Sequence, residues 1–233
     1  GAPTESSGKG GIKGFLARFS KRTKVATCVV VLVVAVAGVG LYSWHEQPSF
    51  CTAICHEPMS DAYLDTYKSE PGTASTDKWG NEVTDANAML SAVHRADYGV
   101  TCLECHSPTL AQQAGEGLMK VTGGYENPLS ERNTAKLATV HGAIGDSFCL
   151  NSSCHNMNRD DLLAATAGLK FNPHEDVHNL NLDCSSCHKA HRASVYYCTQ
   201  CHEDASIDLP AGWITYEEDQ KLQSDFTQTD VPE

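Results

Sequence analysis

The sequence predicts a mainly α chain with extensive loops and very little sheet, behind a single N-terminal transmembrane helix. Three observations carry that expectation. Residues 25–44, VATCVVVLVVAVAGVGLYSW, form an uncharged apolar run of about 20 residues, long enough to span a bilayer as a helix. Five units in which a cysteine pair ends on histidine are spread between residues 51 and 202. Aromatic residues make up only 7% of the 233 residues, few for a conventional interior in a chain of one or two domains.

Two of the five units stand together in CSSCHKAHRASVYYCTQCH: Cys184, Cys187 and His188, then Cys198, Cys201 and His202. C-x-x-C-H is the attachment pattern of a c-type haem: the thiols add to the porphyrin vinyl groups and the adjacent histidine ligates the iron. Upstream lie CLECH (Cys102, Cys105, His106) and two wider units, CTAICH (Cys51, Cys55, His56) and CLNSSCH (Cys149, Cys154, His155). The vinyl separation is fixed, so the additional residues of the wider units must bulge out. A zinc ribbon is the competing reading, because two C-x-x-C pairs also suit a tetrahedral site. All ten cysteines outside the apolar run nevertheless fall in such units. With 11 histidines in the chain, five terminal histidines have a chance probability of about 10⁻⁷, which zinc or disulfide pairing does not explain. The sequence therefore implies a multihaem cytochrome c with five covalently bound haem c groups, wrapped by the polypeptide in place of a large core.

Six basic residues (Lys9, Lys13, Arg18, Lys21, Arg22, Lys24) and one acid, Glu5, precede the apolar run, and Tyr42 and Trp44 stand at its far end. The positive-inside rule then places the N-terminus in the cytoplasm and the haem units outside the cell membrane, with one pass through lipid. A cleaved signal peptide ending near Ala35-Val36-Ala37 is the alternative; the apolar run continues for seven residues beyond it, which favours an anchor. Cys28 is a small apolar residue of the span. Four segments follow: a basic cytoplasmic N-terminus over 1–24, the transmembrane helix over 25–44, a pentahaem domain over 45–210, and an acidic tail over 211–233. Beyond residue 24 the chain has 11 basic and 28 acidic side chains, a net −17, which excludes nucleic acid as a partner. Such an acidic carrier could dock on a basic patch of a redox partner, although simple solubility explains the charge as well. A homo-oligomer is compatible with the sequence.

Along the external part, MSDAYLDTYKSE (59–70) predicts a short helix stopped at Pro71-Gly72. Residues 71–84 carry turn residues without an apolar period and read as a surface loop. Asp85 is positioned to cap a helix over ANAMLSAVHRAD, with Leu90, Val93 and His94 on one face. Ser130 would cap ERNTAKLATVHG, leaving His141 at its end; Asn158 would cap RDDLLAATAGLK, ending at Gly168. The last stretch, EEDQKLQSDFTQTDVPE, reads as disordered unless a partner holds it.

Five histidines belong to the attachment units. Of the other six, His45 sits at the membrane exit, whereas His94, His141, His174, His178 and His191 are free to complete bis-histidine irons. Irons saturated in this way suit electron transfer rather than substrate chemistry, since no coordination position is open.

Two resemblances attach to these residues. The anchor, the first haem unit followed by methionine in CTAICHEPM, and the run SAVHRADYGVTCLECHSP resemble the NapC/NirT family of membrane-anchored multihaem quinol dehydrogenases. That family carries C-x-x-C-H-x-M at its first haem with methionine as ligand; here one residue is added inside the pair and one before Met59. The resemblance implies Met59 as a ligand of the first iron, with His56 as its rival. It also implies that Lys120 and Glu126 in LMKVTGGYEN are the proton-handling residues of a quinol pocket, two solvated surface charges being the alternative. The segment from about Cys149 to Trp213, above all HEDVHNLNLDCSSCHKAHRASVYYCTQCH and LPAGW, is similar to the tetrahaem domain of flavocytochrome c fumarate reductases. That likeness implies His174, His178 and His191 as distal ligands of the three C-terminal haem sites. The chain has no G-x-G-x-x-G, so the acceptor it implies is a separate flavoprotein reductase.

The expected function is oxidation of menaquinol at the membrane surface and passage of electrons to an extracytoplasmic reductase. An electron relay that does not itself oxidise quinol is the alternative. A terminal reductase would need an open iron, commonly supplied by C-x-x-C-K, which this sequence lacks.

Overall fold

The computed structural model describes residues 20–51, 53, 60–106, 108–124, 131, 145–176, 178 and 182–229. They fall into two units divided between residues 46 and 47. In the first, helix α1 (Lys21–His45) begins where the Ser20 hydroxyl accepts the Thr23 N–H at 3.2 Å. At about 1.5 Å per residue its 25 residues extend about 37 Å. Its most apolar window has a mean hydropathy of 2.6, and none of its residues is buried by protein. Length and composition make it able to cross a membrane.

The second unit is mainly helical with little sheet. Helix α2 (Ser60–Lys68) ends just before Pro71-Gly72. Strands β1 (Ser75–Thr76) and β2 (Glu82–Val83) then pair antiparallel. The turn between them is organised by the Asp77 carboxylate, which accepts the N–H groups of Trp79 and Asn81, each at 2.8 Å. The expectation of a surface loop over 71–84 therefore fails in part. Val83 is a core residue and Asp77 is buried. One valine among polar residues has no periodicity to announce it.

Asp85 does cap the next segment, accepting from the Asn87 N–H at 2.8 Å. The expected single helix is interrupted, however. Ala86–Ala88 form a 3₁₀ turn, and Met89 becomes extended and bridges Lys189 in parallel. Helix α3 (Leu90–Tyr98) follows and stops at Gly99, whose φ of 69° suits glycine. The core cluster is small: Val83, Ala86, Ala88, Met89, Ala92 and Ala193, with Trp213 and Ile214 packed against it. Alanines dominate because the backbones of residues 86–92 and 189–194 approach closely there: the Leu90 N–H donates to the Lys189 carbonyl at 2.9 Å and the Ser194 N–H to the Ala88 carbonyl at 3.0 Å.

Helix α4 (Cys102–Cys105), helix α5 (Leu110–Thr122), helix α6 (Asp146–Cys149), helix α7 (Arg159–Ala165) and helix α8 (Cys184–Cys187) come next in the chain. Asn158 caps α7 as expected, but the helix gives way at Thr166 rather than at Gly168. The proposed Ser130 cap lies outside the described residues. Strand β3 (Val195–Tyr196) pairs in parallel with β4 (Ile214–Thr215), and helix α9 (Tyr216–Thr229) completes the unit.

That last helix corrects the expectation of disorder. Glu217, Glu218 and Asp219 occupy its first turn, where acidic side chains complement the helix dipole. Asp219 is buried against Arg192, accepting from Nη1 at 2.5 Å. Composition alone reads as solvated; the partner is 27 residues away and invisible to a local reading.

Candidate haem-binding sites

In each of the three C-x-x-C-H units a short helical turn is followed by an extended histidine. In α4 and α8 the two cysteines stand three residues apart, so their side chains leave the same side of the turn. Capping fixes these turns: the Thr101 N–H donates to Glu104, and Asp183 accepts from the Ser185 N–H at 2.8 Å. Each unit is closed by the histidine N–H, which returns to the carbonyl of the first cysteine. The distances are 2.8 Å for His106 to Cys102, 3.0 Å for His188 to Cys184 and 3.0 Å for His202 to Cys198.

The wider unit CLNSSCH closes in the same way, His155 N–H to Cys149 carbonyl at 3.2 Å. Its surplus is taken up by a turn in which the Asn151 side chain accepts from Ser153 and Cys154. The bulge required by a fixed vinyl spacing is present. Of the first unit, Cys51 is described, whereas Cys55, His56 and Met59 lie outside the described residues, as does His141.

The histidines meet in pairs. Ring centres of His106 and His191 are 6.4 Å apart, those of His174 and His188 6.4 Å, and those of His178 and His202 6.0 Å. His94 and His155 stand 5.9 Å apart. Two imidazoles bound through Nε2 at about 2.0–2.1 Å on opposite faces of one metal have ring centres about 6.3 Å apart. Each pair joins one histidine of an attachment unit to one from elsewhere in the chain; His191, expected at one of the three C-terminal sites, instead faces His106 of the CLECH unit, and His94 faces His155. Among the described residues no group of three or more His, Cys, Asp or Glu side chains is placed to hold a metal ion.

Tautomers agree with this arrangement. The Nδ1–H of His94 donates to the Leu90 carbonyl at 2.7 Å. Nδ1 of His191 meets the Thr66 hydroxyl at 2.8 Å, and Nδ1 of His174 meets the Thr166 hydroxyl at 3.2 Å. A hydrogen bond at Nδ1 leaves the Nε2 lone pair for a metal and orients the ring. Burial, reinforced by the neighbouring His174, His155 and His94, pushes His188 down to about 4, so it is neutral at physiological pH, as a ligand must be. Burial likewise pushes the Cys187 thiol up to about 11. The donor set fits covalently held, bis-histidine haem c.

The described units follow one another in space from the second to the fifth: Cys105 is within electrostatic reach of Cys154, Cys149 of Cys184, and Cys187 of Cys198. The loop carrying His188 and His191 is held by a cluster that sequence reasoning missed. Arg192, almost fully buried, pairs with Asp219 at 2.5 Å and with Glu131 at 3.2 Å, and Lys78 reaches Glu131 at 2.9 Å. Spacing gives no sign of these partners, and the same is true of Thr66.

Lys120, on the last turn of α5, donates to the carbonyl of Ala53 at 2.6 Å, inside the first cysteine pair. Glu126, its expected companion, lies outside the described residues. His45 contacts its neighbour Glu46 at 3.2 Å.

A family model described as Cytochrome c3 matches residues 93–203. Cytochrome c-type protein Cgr1 of Eggerthella lenta is 53% identical over 205 residues, covering 88% of this chain and 93% of that protein. A shorter similarity, 35% over 52 residues, links 22% of the chain to 9% of the probable fumarate reductase Ifc3 of Shewanella frigidimarina. No solved structure matches the chain. With paired histidines, closed Cys–His turns and this near full-length relative together, the chain belongs to the family of the Eggerthella cytochrome, multihaem electron-transfer proteins with a cytochrome c3-type region.

Proposed function

We propose that the protein is a membrane-anchored pentahaem cytochrome that takes electrons from menaquinol and delivers them to an extracytoplasmic reductase. The observation that carries an electron-transfer role is the pairing of His94, His106, His174 and His178 with His155, His191, His188 and His202, whose imidazoles would saturate four haem irons. Haem c, when bound, supplies reversible one-electron chemistry. The cysteines of the five units hold it covalently, and the Nδ1 hydrogen bonds keep the imidazoles oriented. The chain-order proximity of the attachment turns between Cys102 and Cys201 supports a line of redox centres through them.

The quinol assignment rests on Lys120. Quinol oxidation releases protons that haem cannot accept, so a protonatable side chain has to stand beside the haem nearest the membrane. Lys120 reaches Ala53 of the first cysteine pair, which begins six residues past α1 in sequence. This placement and the anchor-like α1 support the resemblance to NapC/NirT quinol dehydrogenases, with Glu126 as the second proton carrier. The short similarity to a fumarate reductase supports a flavoprotein acceptor. The deciding experiment compares reduction of the membrane-embedded protein by a menaquinol analogue and by dithionite. Reduction by both supports quinol oxidation; reduction by dithionite alone makes the protein a relay fed by another membrane cytochrome.

A further inference from the structure

We infer that Thr66 is a positioning residue for the second haem site, fixing the tautomer and ring plane of His191 opposite His106; this rests on the haem reading above. Thr66 lies on α2, is completely buried, and is separated from His191 by 125 residues. Its Oγ1 donates its one hydrogen to the Tyr63 carbonyl at 2.9 Å. The same oxygen, 2.8 Å from His191 Nδ1, must then accept, so Nδ1 carries the proton and Nε2 keeps its lone pair. The Tyr63 ring, edge-on to His191 at 4.9 Å, blocks rotation from the other side. Together they hold His191 at 22° to His106.

The chemistry follows from the acceptor. A hydrogen bond from Nδ1–H increases the basicity of Nε2, which favours the ferric state of an iron bound there. A threonine hydroxyl already committed to donating is a neutral acceptor of fixed direction, so it sets both the strength and the angle of that ligand. Thr166 faces His174 in the same relation at 3.2 Å, its own hydroxyl bonded to the Leu162 carbonyl at 2.9 Å. The same device thus appears independently at a second site.

The test uses the full-length, haem-loaded protein and its Thr66→Val and Thr66→Ser variants. Mass spectrometry of proteolytic peptides first establishes that haem is attached at Cys102 and Cys105; its absence there removes the haem reading itself. With haem attached, Thr66→Val is expected to raise the midpoint potential of one haem and to change the spread of one low-spin EPR signal. Thr66→Ser restores both. A residue that only filled space would leave the spectrum unmoved in the valine variant, and that result overturns the proposal. Should the valine variant fail to fold, NMR of the fully reduced parent decides. A slowly exchanging Nδ1 proton on His191 supports the assignment, and a freely exchanging one overturns it.

Discussion

The imidazole planes of His94 and His155 are 81° apart, whereas those of the His174–His188 pair are 9° apart. His94 is held in that plane by its bond to the Leu90 carbonyl, one turn earlier in α3. Parallel imidazoles act together to split the iron dπ orbitals, while perpendicular ones oppose each other and leave the orbitals nearly degenerate. The oxidised protein should therefore show one highly anisotropic low-spin EPR signal beside more rhombic ones. His94→Met should abolish the anisotropic signal alone. Its persistence would mean that His94 does not ligate the iron attached at Cys149 and Cys154.

Lys120→Met should leave the haems attached and reducible by dithionite, since Lys120 belongs to none of the Cys–His attachment units. Reduction by a menaquinol analogue should slow by about 10²-fold, the scale of losing general acid–base help. Glu126→Gln should behave alike. Stopped-flow absorbance at the haem α-band measures both, and unchanged rates would favour the relay.

Asp219→Asn should destabilise the protein by about 3 kcal/mol, the lower end for breaking a buried ion pair, because Glu131 still faces Arg192. Chemical denaturation followed by tyrosine and haem signals measures it. Replacing the exposed Asp204, whose partner is Lys170 on the surface, should leave stability essentially unchanged.

Gly212→Ala is expected to disrupt the closing of the chain on itself. Gly212 has φ 75°, and a Cβ there would stand 2.1 Å from the Asp85 carbonyl oxygen, a backbone atom that cannot swing aside. Thermal melting should show a loss of several degrees, with β4 and α9 the first region to exchange amide hydrogens.

The parts legible in the sequence were those with a local signature. The C-x-x-C-H turns, the apolar span, the Asn158 cap and the helix before Pro71 all depend on residues within a few positions of each other. The break at Met89 was not legible, because it is imposed by Lys189 from the far half of the chain. Asp219 and Thr66 escaped for the same reason, each being a lone residue whose partner is remote in sequence, and Val83 because one valine among polar residues has no period. The pairing of distal with proximal histidines lay between these extremes. Candidates could be counted from composition, but only the fold matches His94 with His155 and His191 with His106.

The parallel pairing of β3 with β4 has a consequence for how the protein is made. Val195 and Tyr196 cannot complete their ladder until Ile214 and Thr215 have followed them, and Arg192 stays without Asp219 until later still. In a chain delivered N-terminus first, Cys184, Cys187, Cys198 and Cys201 thus emerge before the strand that pairs with β3, so haem attachment to their thiols can precede the closing of the C-terminal segment.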